Sequence, residues 1–244
     1  MKRTLSVRRG VGASSRLERY SVDLSGRATL LDALEAIRTG VEPDLCFRHS
    51  CHHGSCGTCS VLVDGKEVLA CLTSLDSLYD EEQAAARAAA GGAEGAEPVV
   101  EPLRVFEVVA DLAVDPGRLF RAQVEGATQL RASERHDEAT LPADIERYTR
   151  FEDCIECGLC ISACPVMQVR PDRFMGPQSL AALRRESINR VERKDELLER
   201  AAEGDGAAAC DRHFDCSRVC PRGVFPGKHI QLLRKEIAGR EAGK

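Results

Sequence analysis

The sequence predicts an α+β protein in two parts, a small sheet domain followed by an all-α domain. Three observations carry this. Apolar and polar residues alternate around tight-turn signals up to about residue 80. The same stretch holds Cys51-x4-Cys56-x2-Cys59, with Cys71 eleven residues later. The C-terminal part is helical in pattern and carries two runs in one register: Cys154-x2-Cys157-x2-Cys160-x3-Cys164-Pro165 and Cys210-x2-His213-x2-Cys216-x3-Cys220-Pro221.

Taken in order, Leu5 and Val7, then Tyr20, Val22 and Leu24, predict two strands around a Gly10–Gly12 turn. Thr29 caps a helix whose face is Leu30, Leu31, Leu34 and Ile37, and Gly40 ends it. Val61 to Leu69 reads as a hairpin about Asp64-Gly65. It carries Cys71 back beside the Cys51–Cys59 loop, where Gly54 and Gly57 let backbone amides turn inward toward sulfur. This is the outline of a β-grasp domain with plant-type [2Fe–2S] spacing. The first domain is expected over residues 1–98, with 81–98 an Ala/Gly-rich surface insertion or linker whose first half suits a short helix.

The second domain, 99–244, is entered through a connecting segment at 99–140. Val99 to Val114 has strand-like apolar runs, and Asp115-Pro116 opens a helix expected to reach about Leu130. A polar loop over 131–140 and a helix over 142–150 lead to Cys154. Helices follow at 176–189, 191–202 and about 226–238. Lys228, Arg234, Lys235 and Arg240 read as a solvated or partner-facing surface, and His136 and His229 as surface residues.

Composition is that of a mixed-charge chain: 34 basic against 39 acidic residues, net charge −5. Nothing in it points to nucleic acid. No apolar run reaches the roughly 18 residues a membrane span needs. Arg8-Arg9 lacks the apolar segment of an export signal and reads as strand surface. The twelve cysteines stand at metal-ligand spacings rather than as a disulfide framework.

In runs of the C-x2-C-x2-C-x3-C-P kind the fourth cysteine ligates the other cluster. The first cluster therefore takes Cys154, Cys157, Cys160 and Cys220, a full [4Fe–4S] set. The second takes Cys164, Cys210 and Cys216, and its remaining corner faces His213. A corner without a thiolate loses its iron, so [3Fe–4S] is expected; the alternative has His213 ligating a fourth iron. Cys51, Cys56, Cys59 and Cys71 complete the [2Fe–2S] site. Cys46 is left over as a small buried residue before the loop. His49, His52 and His53 crowd the loop as a cover or as hydrogen-bond donors, since four cysteines already fill a site that a Rieske centre would share with histidines.

The order of these sites resembles the iron–sulfur subunit of the succinate dehydrogenase and fumarate reductase family. The segments Leu45–Cys51, Glu101–Leu103, Val109–Asp115, Phe174–Pro177 and Cys220–Val224 look like that family's too. The resemblance implies an electron-transfer subunit with no catalytic residue of its own. It would relay electrons between a flavoprotein carrying FAD, where succinate or fumarate reacts, and a quinone at a membrane-anchor subunit of cytochrome b type. It also implies a peripheral place on the cytoplasmic face of the cell membrane, reached through the anchor. Ubiquinone-reducing members carry a tryptophan shortly after the first Cys-Pro. Here the segment is Val166-Met167-Gln168-Val169 and the chain has no tryptophan, which favours menaquinone or another low-potential quinone. Met167 reads as packing. A related reductase with a non-quinone partner, thiol-driven or heterodisulfide-reductase-like, is the alternative. Zinc in four-thiolate sets is a further one, set aside because the cysteine spacings are not those of zinc ribbons.

Overall fold

The computed structural model describes residues 2–24, 26–89, 97–124, 153–189 and 191–242. They form two compact units, Met1–Pro116 with Ile155–Ala163, and Gly117–Cys154 with Cys164–Lys244.

In the first unit β1 (Lys2–Arg9) and β2 (Arg16–Asp23) pair antiparallel along their whole length. Leu5, Val7, Tyr20 and Val22 turn inward from them. Thr29 caps α1 (Leu30–Gly40): its hydroxyl accepts from the Asp32 amide at 3.2 Å, and the Asp32 carboxylate accepts from the Thr29 amide at 2.7 Å. Leu30, Leu31, Leu34 and Ile37 are fully buried by this helix. At about 2–5 kcal/mol for truncating any one of them to alanine, that face is the domain's main anchor.

The hairpin of β3 (Ser60–Val63) and β4 (Lys66–Leu69) turns at Asp64 and Gly65, both with positive φ (49° and 76°), as a two-residue primed turn requires. Next come α2 (Glu81–Ala89) and β5 (Val99–Glu101). The sheet order is β2-β1-β5-β3-β4, with β5 parallel to β1 and antiparallel to β3. With α1 packed on β2, this is the expected β-grasp arrangement.

The domain boundary expected at 98 falls inside this sheet. β5 is its middle strand and Val100 is fully buried, so the first unit runs on to Pro116. Nor is 81–98 simply a linker. The Arg87 guanidinium of α2, 8% exposed, pairs with Asp64 at 3.0 Å. Pro98 accepts from the Ser6 amide at 2.9 Å. Residues 90–96 lie outside the described residues. A second small sheet of β6 (Val108–Ala110) and β7 (Ala113–Val114) completes the expected strand-like runs.

The helix expected from Pro116 to Leu130 is α3 (Gly117–Phe120), a single turn. Gln123 and Val124 are non-helical, and 125–152, with the expected loop, the helix before Cys154 and His136, lie outside the described residues. Then come α4 (Leu159–Ser162) and α5 (Pro165–Val169), the latter opened by Pro165 at its first position.

In the second unit α6 (Pro177–Asn189) is the central helix, buried on nearly every side. It packs on α9 (Pro226–Ala242) and α7 (Lys194–Ala202), which a 3-10 turn at Val191–Arg193 precedes; α8 (Asp215–Arg218) also packs on α9. His229 is 4% exposed, not a surface residue, because its face of α9 turns inward with Ile230 and Leu233.

Candidate iron–sulfur sites

The loop between α1 and β3 is fixed at its entrance by backbone bonds. The Cys46 amide donates to the Asp111 carboxylate at 2.8 Å, and the Cys46 carbonyl accepts from the Leu112 amide at 3.1 Å. Cys46 is only partly buried, and what the structure uses is its backbone. Asp111 also accepts from the Gly10 amide at 2.7 Å and lies 3.1 Å from the Arg9 guanidinium. Burial alone would raise the Asp111 carboxyl, but the two amides and Arg9 outweigh it and hold it below its ordinary value.

Within the loop, Cys51 Sγ accepts from the amides of His53 (3.5 Å), Ser55 (3.2 Å) and Cys56 (3.3 Å). These donors, His53 first, draw the Cys51 thiol down to about 6. The amides converge because His52, Gly54 and Gly57 all adopt positive φ (61°, 74° and 71°). Cys56 Sγ lies 3.2 Å from the Thr58 hydroxyl. Cys59 and Cys71 are buried on the hairpin, Cys71 in the 3-10 turn that ends it. Burial pushes the Cys59 thiol up to about 12, and the neighbouring Cys71 and Cys56 sulfurs add to it. So the four predicted cysteines stand together. Four crowded sulfurs with inward amides suit a multinuclear iron site, where metal replaces protons and amides steady the remaining negative charge.

The first C-terminal run is built into the first unit through α4. Gly57 leaves no room for a side chain there: a Cβ would lie 2.7 Å from Cys157 Cβ and 2.8 Å from the Ile155 carbonyl. The Ser162 hydroxyl accepts from the Arg104 amide at 3.0 Å and donates to Glu67 at 2.9 Å, while Glu67 also pairs with Arg104 at 2.8 Å. This network ties α4 to the β3–β4 hairpin. Cys157 and Cys160 belong to the first unit, Cys154 and Cys220 to the second, where both pack on Ala181, Ala182 and Val224. The Val224 amide donates to Cys220 Sγ at 3.3 Å.

Cys164, Cys210 and Cys216 line one cavity of the second unit with His213, Phe174 and Ile230, about 280 Å³ including its mouth. Burial pushes the Cys216 thiol up to about 11, reinforced by the Cys164 and Cys210 sulfurs, and raises Cys164 as well. Three thiols facing one space, two of them kept from ionising by burial, have the chemistry of ligands awaiting a cation. Arg234 contributes here rather than to a solvated surface: its Nη1 donates to the Cys210 carbonyl at 2.9 Å. Arg240 stays on a solvated surface, where it pairs with the exposed Asp195 at 3.0 Å. Met167 is buried packing, as expected. The roles of Arg234 and of the Glu67–Ser162 contact have no signature in the sequence, and Asp111 is marked only as one residue of the Val109–Asp115 segment, because each acts on residues far along the chain.

A family described as "2Fe-2S iron-sulfur cluster binding domain" matches residues 4–121, and one described as "4Fe-4S dicluster domain" matches 150–224. The chain is 34% identical to the fumarate reductase iron–sulfur subunit of Mycobacterium tuberculosis (strain CDC 1551 / Oshkosh), covering 90% of this chain and 85% of that one. It is 30% identical to the succinate dehydrogenase iron–sulfur subunit of Coxiella burnetii (strain RSA 493 / Nine Mile phase I), covering 85% and 83%. Its fold matches a chain of the Mycobacterium smegmatis Sdh1 complex in the apo form, with a TM-score of 0.79 at 24% identity over 99% of this chain and 97% of that one. With two iron–sulfur domains in this order and thiols gathered where iron would sit, the chain belongs to the fumarate reductase and succinate dehydrogenase iron–sulfur subunits, and its role is that of an electron-transfer subunit.

Proposed function

We propose that this chain relays electrons between a flavoprotein subunit, which carries FAD and interconverts succinate and fumarate, and a membrane quinone. The observation that carries the reading is the asymmetry of the two C-terminal runs, with His213 beside Cys164, Cys210 and Cys216 in one cavity. Cys51, Cys56, Cys59 and Cys71 would hold [2Fe–2S]; Cys154, Cys157, Cys160 and Cys220 would hold [4Fe–4S]; Cys164, Cys210 and Cys216 would hold [3Fe–4S]. Once bound, the clusters supply one-electron chemistry. The chain's own residues order and insulate them: amides fix Cys51, Gly57 lets the first loop approach Cys157, and Arg234 steadies the Cys210 segment.

Among the described residues no helix is long and apolar enough to cross a membrane. A peripheral seat on a cytochrome b-type anchor at the cytoplasmic face fits this, and the absence of tryptophan favours menaquinone. The test is EPR of the anaerobic protein, oxidised and then reduced, with iron analysis. A [3Fe–4S] signal when oxidised, a [2Fe–2S] signal when reduced, and about nine iron atoms per chain are expected. About ten iron atoms with no [3Fe–4S] signal would defeat the open-corner assignment.

A further inference from the structure

We propose that Glu35, His49 and His52 form a site for a divalent first-row transition cation of the Zn²⁺ type, beside the [2Fe–2S] loop and distinct from the thiols. His49 Nδ1 lies 3.1 Å from His52 Nε2 and 3.6 Å from a Glu35 carboxylate oxygen. One ligand atom from each of the three residues lies within 4.8 Å of the others. Two ligands on a tetrahedral zinc ion, each at about 2.0–2.1 Å, stand roughly 3.3 Å apart, so two of the three edges are nearly set. The histidine rings cross at 76° with centroids 5.2 Å apart, which lets their nitrogens converge. Glu35 stands on α1 and the histidines on the loop, so a bound ion ties the loop to the helix. The side chains remain 29%, 21% and 45% exposed, which leaves a way in and a position for water. Two imidazoles and a carboxylate are a donor set for zinc and its first-row neighbours.

Arg38 opposes the ion. Its Nη2 lies 2.8 Å from His49 Nε2, and a guanidinium only donates. Nε2 therefore accepts, the ring proton sits on Nδ1, and Nδ1 donates to His52 Nε2. For Nδ1 to ligate, the proton must move to Nε2 and Arg38 must turn aside. The site thus predicts effects of opposite sign. Losing Glu35 weakens binding, whereas replacing Arg38 with a side chain that can accept from Nε2–H strengthens it.

The experiment uses the full chain, anaerobic and loaded with its iron, titrated with Zn²⁺ against a competing chelator while iron content and the [2Fe–2S] EPR signal are followed. Expected are one Zn²⁺ per chain without loss of iron, affinity at least about tenfold weaker in Glu35→Gln and tighter in Arg38→Gln. Co²⁺ in the same site should show d–d absorption without a sulfur-to-metal charge-transfer band. Absence of stoichiometric uptake, uptake matched by iron release, or equal affinities in parent, Glu35→Gln and Arg38→Gln would each overturn the proposal.

Discussion

The two C-terminal cysteine runs share a backbone and differ in what surrounds it. Glu156 and Arg212 occupy equivalent positions at φ 51° and 64°, and Gly158 and Phe214 at 80° and 64°. Each run then enters a four-residue helix, α4 or α8. The left-handed turn therefore belongs to the motif, not to glycine, since Phe214 adopts it with a full side chain. What glycine answers to is space: a Cβ on Gly158 would lie 2.9 Å from the Phe106 ring, whereas Phe214 is 41% exposed. The second positions differ likewise. Cys157 is backed by the Gly57 backbone, while His213 lines a cavity. Histidine stands where a cavity gives a larger side chain room, and cysteine stands where the Gly57 backbone closes in.

The largest test makes the runs alike. His213→Cys should close the open corner, raise iron by about one atom per chain, remove the oxidised [3Fe–4S] EPR signal and lower that cluster's potential. An unchanged signal would mean that the second position does not face the cluster. Next, Gly57→Ala should press on the back of Cys157 and strain a residue at φ 71°. A loss of about 2–5 kcal/mol in denaturant unfolding is expected, with slower electron exchange between the first two clusters by freeze-quench EPR. A smaller contrast separates the two turns: Gly158→Ala should cost about 1–3 kcal/mol, whereas Phe214→Ala, at a site that already holds a side chain, should cost less than about 1 kcal/mol. Equal costs, read from paired melts, would mean that the Phe106 ring is not what keeps a side chain off position 158. Smallest is Arg234→Met, which removes the donor to the Cys210 carbonyl. About 1–1.5 kcal/mol and a broadened [3Fe–4S] line are expected, with the [2Fe–2S] line unmoved as the internal control.

Much of this was legible in the sequence because it is local. The Thr29–Asp32 cap, the Asp64-Gly65 turn and the alternation of Leu5 and Val7 each act within a few residues. The grouping of Cys51, Cys56, Cys59 and Cys71 was legible for the same reason. Val99–Glu101 is not legible as a central strand because three residues carry too little pattern, and its partners lie far away on β1 and β3. The basic residues of the last helix suggest a solvated face, and that pattern is blind to the side on which His229 and Arg234 turn inward. The Val109–Asp115 segment marks Asp111 without saying what it does; its value lies in meeting Gly10, Arg9 and Cys46 at once.

The return of Ile155–Ala163 to the first unit bears on how the chain is made. A ribosome will have delivered all five strands of the sheet once Glu101 is clear of the exit tunnel. Ser162, which bonds Arg104 and Glu67, follows 61 residues later. At about 5–20 residues per second that is a delay of roughly 3–12 s, during which the first domain stands with its seat for α4 empty. The nascent sheet must be stable enough to wait, and a chain truncated at Pro116 should stay in that unfinished state, open to proteolysis along the β3–β4 hairpin.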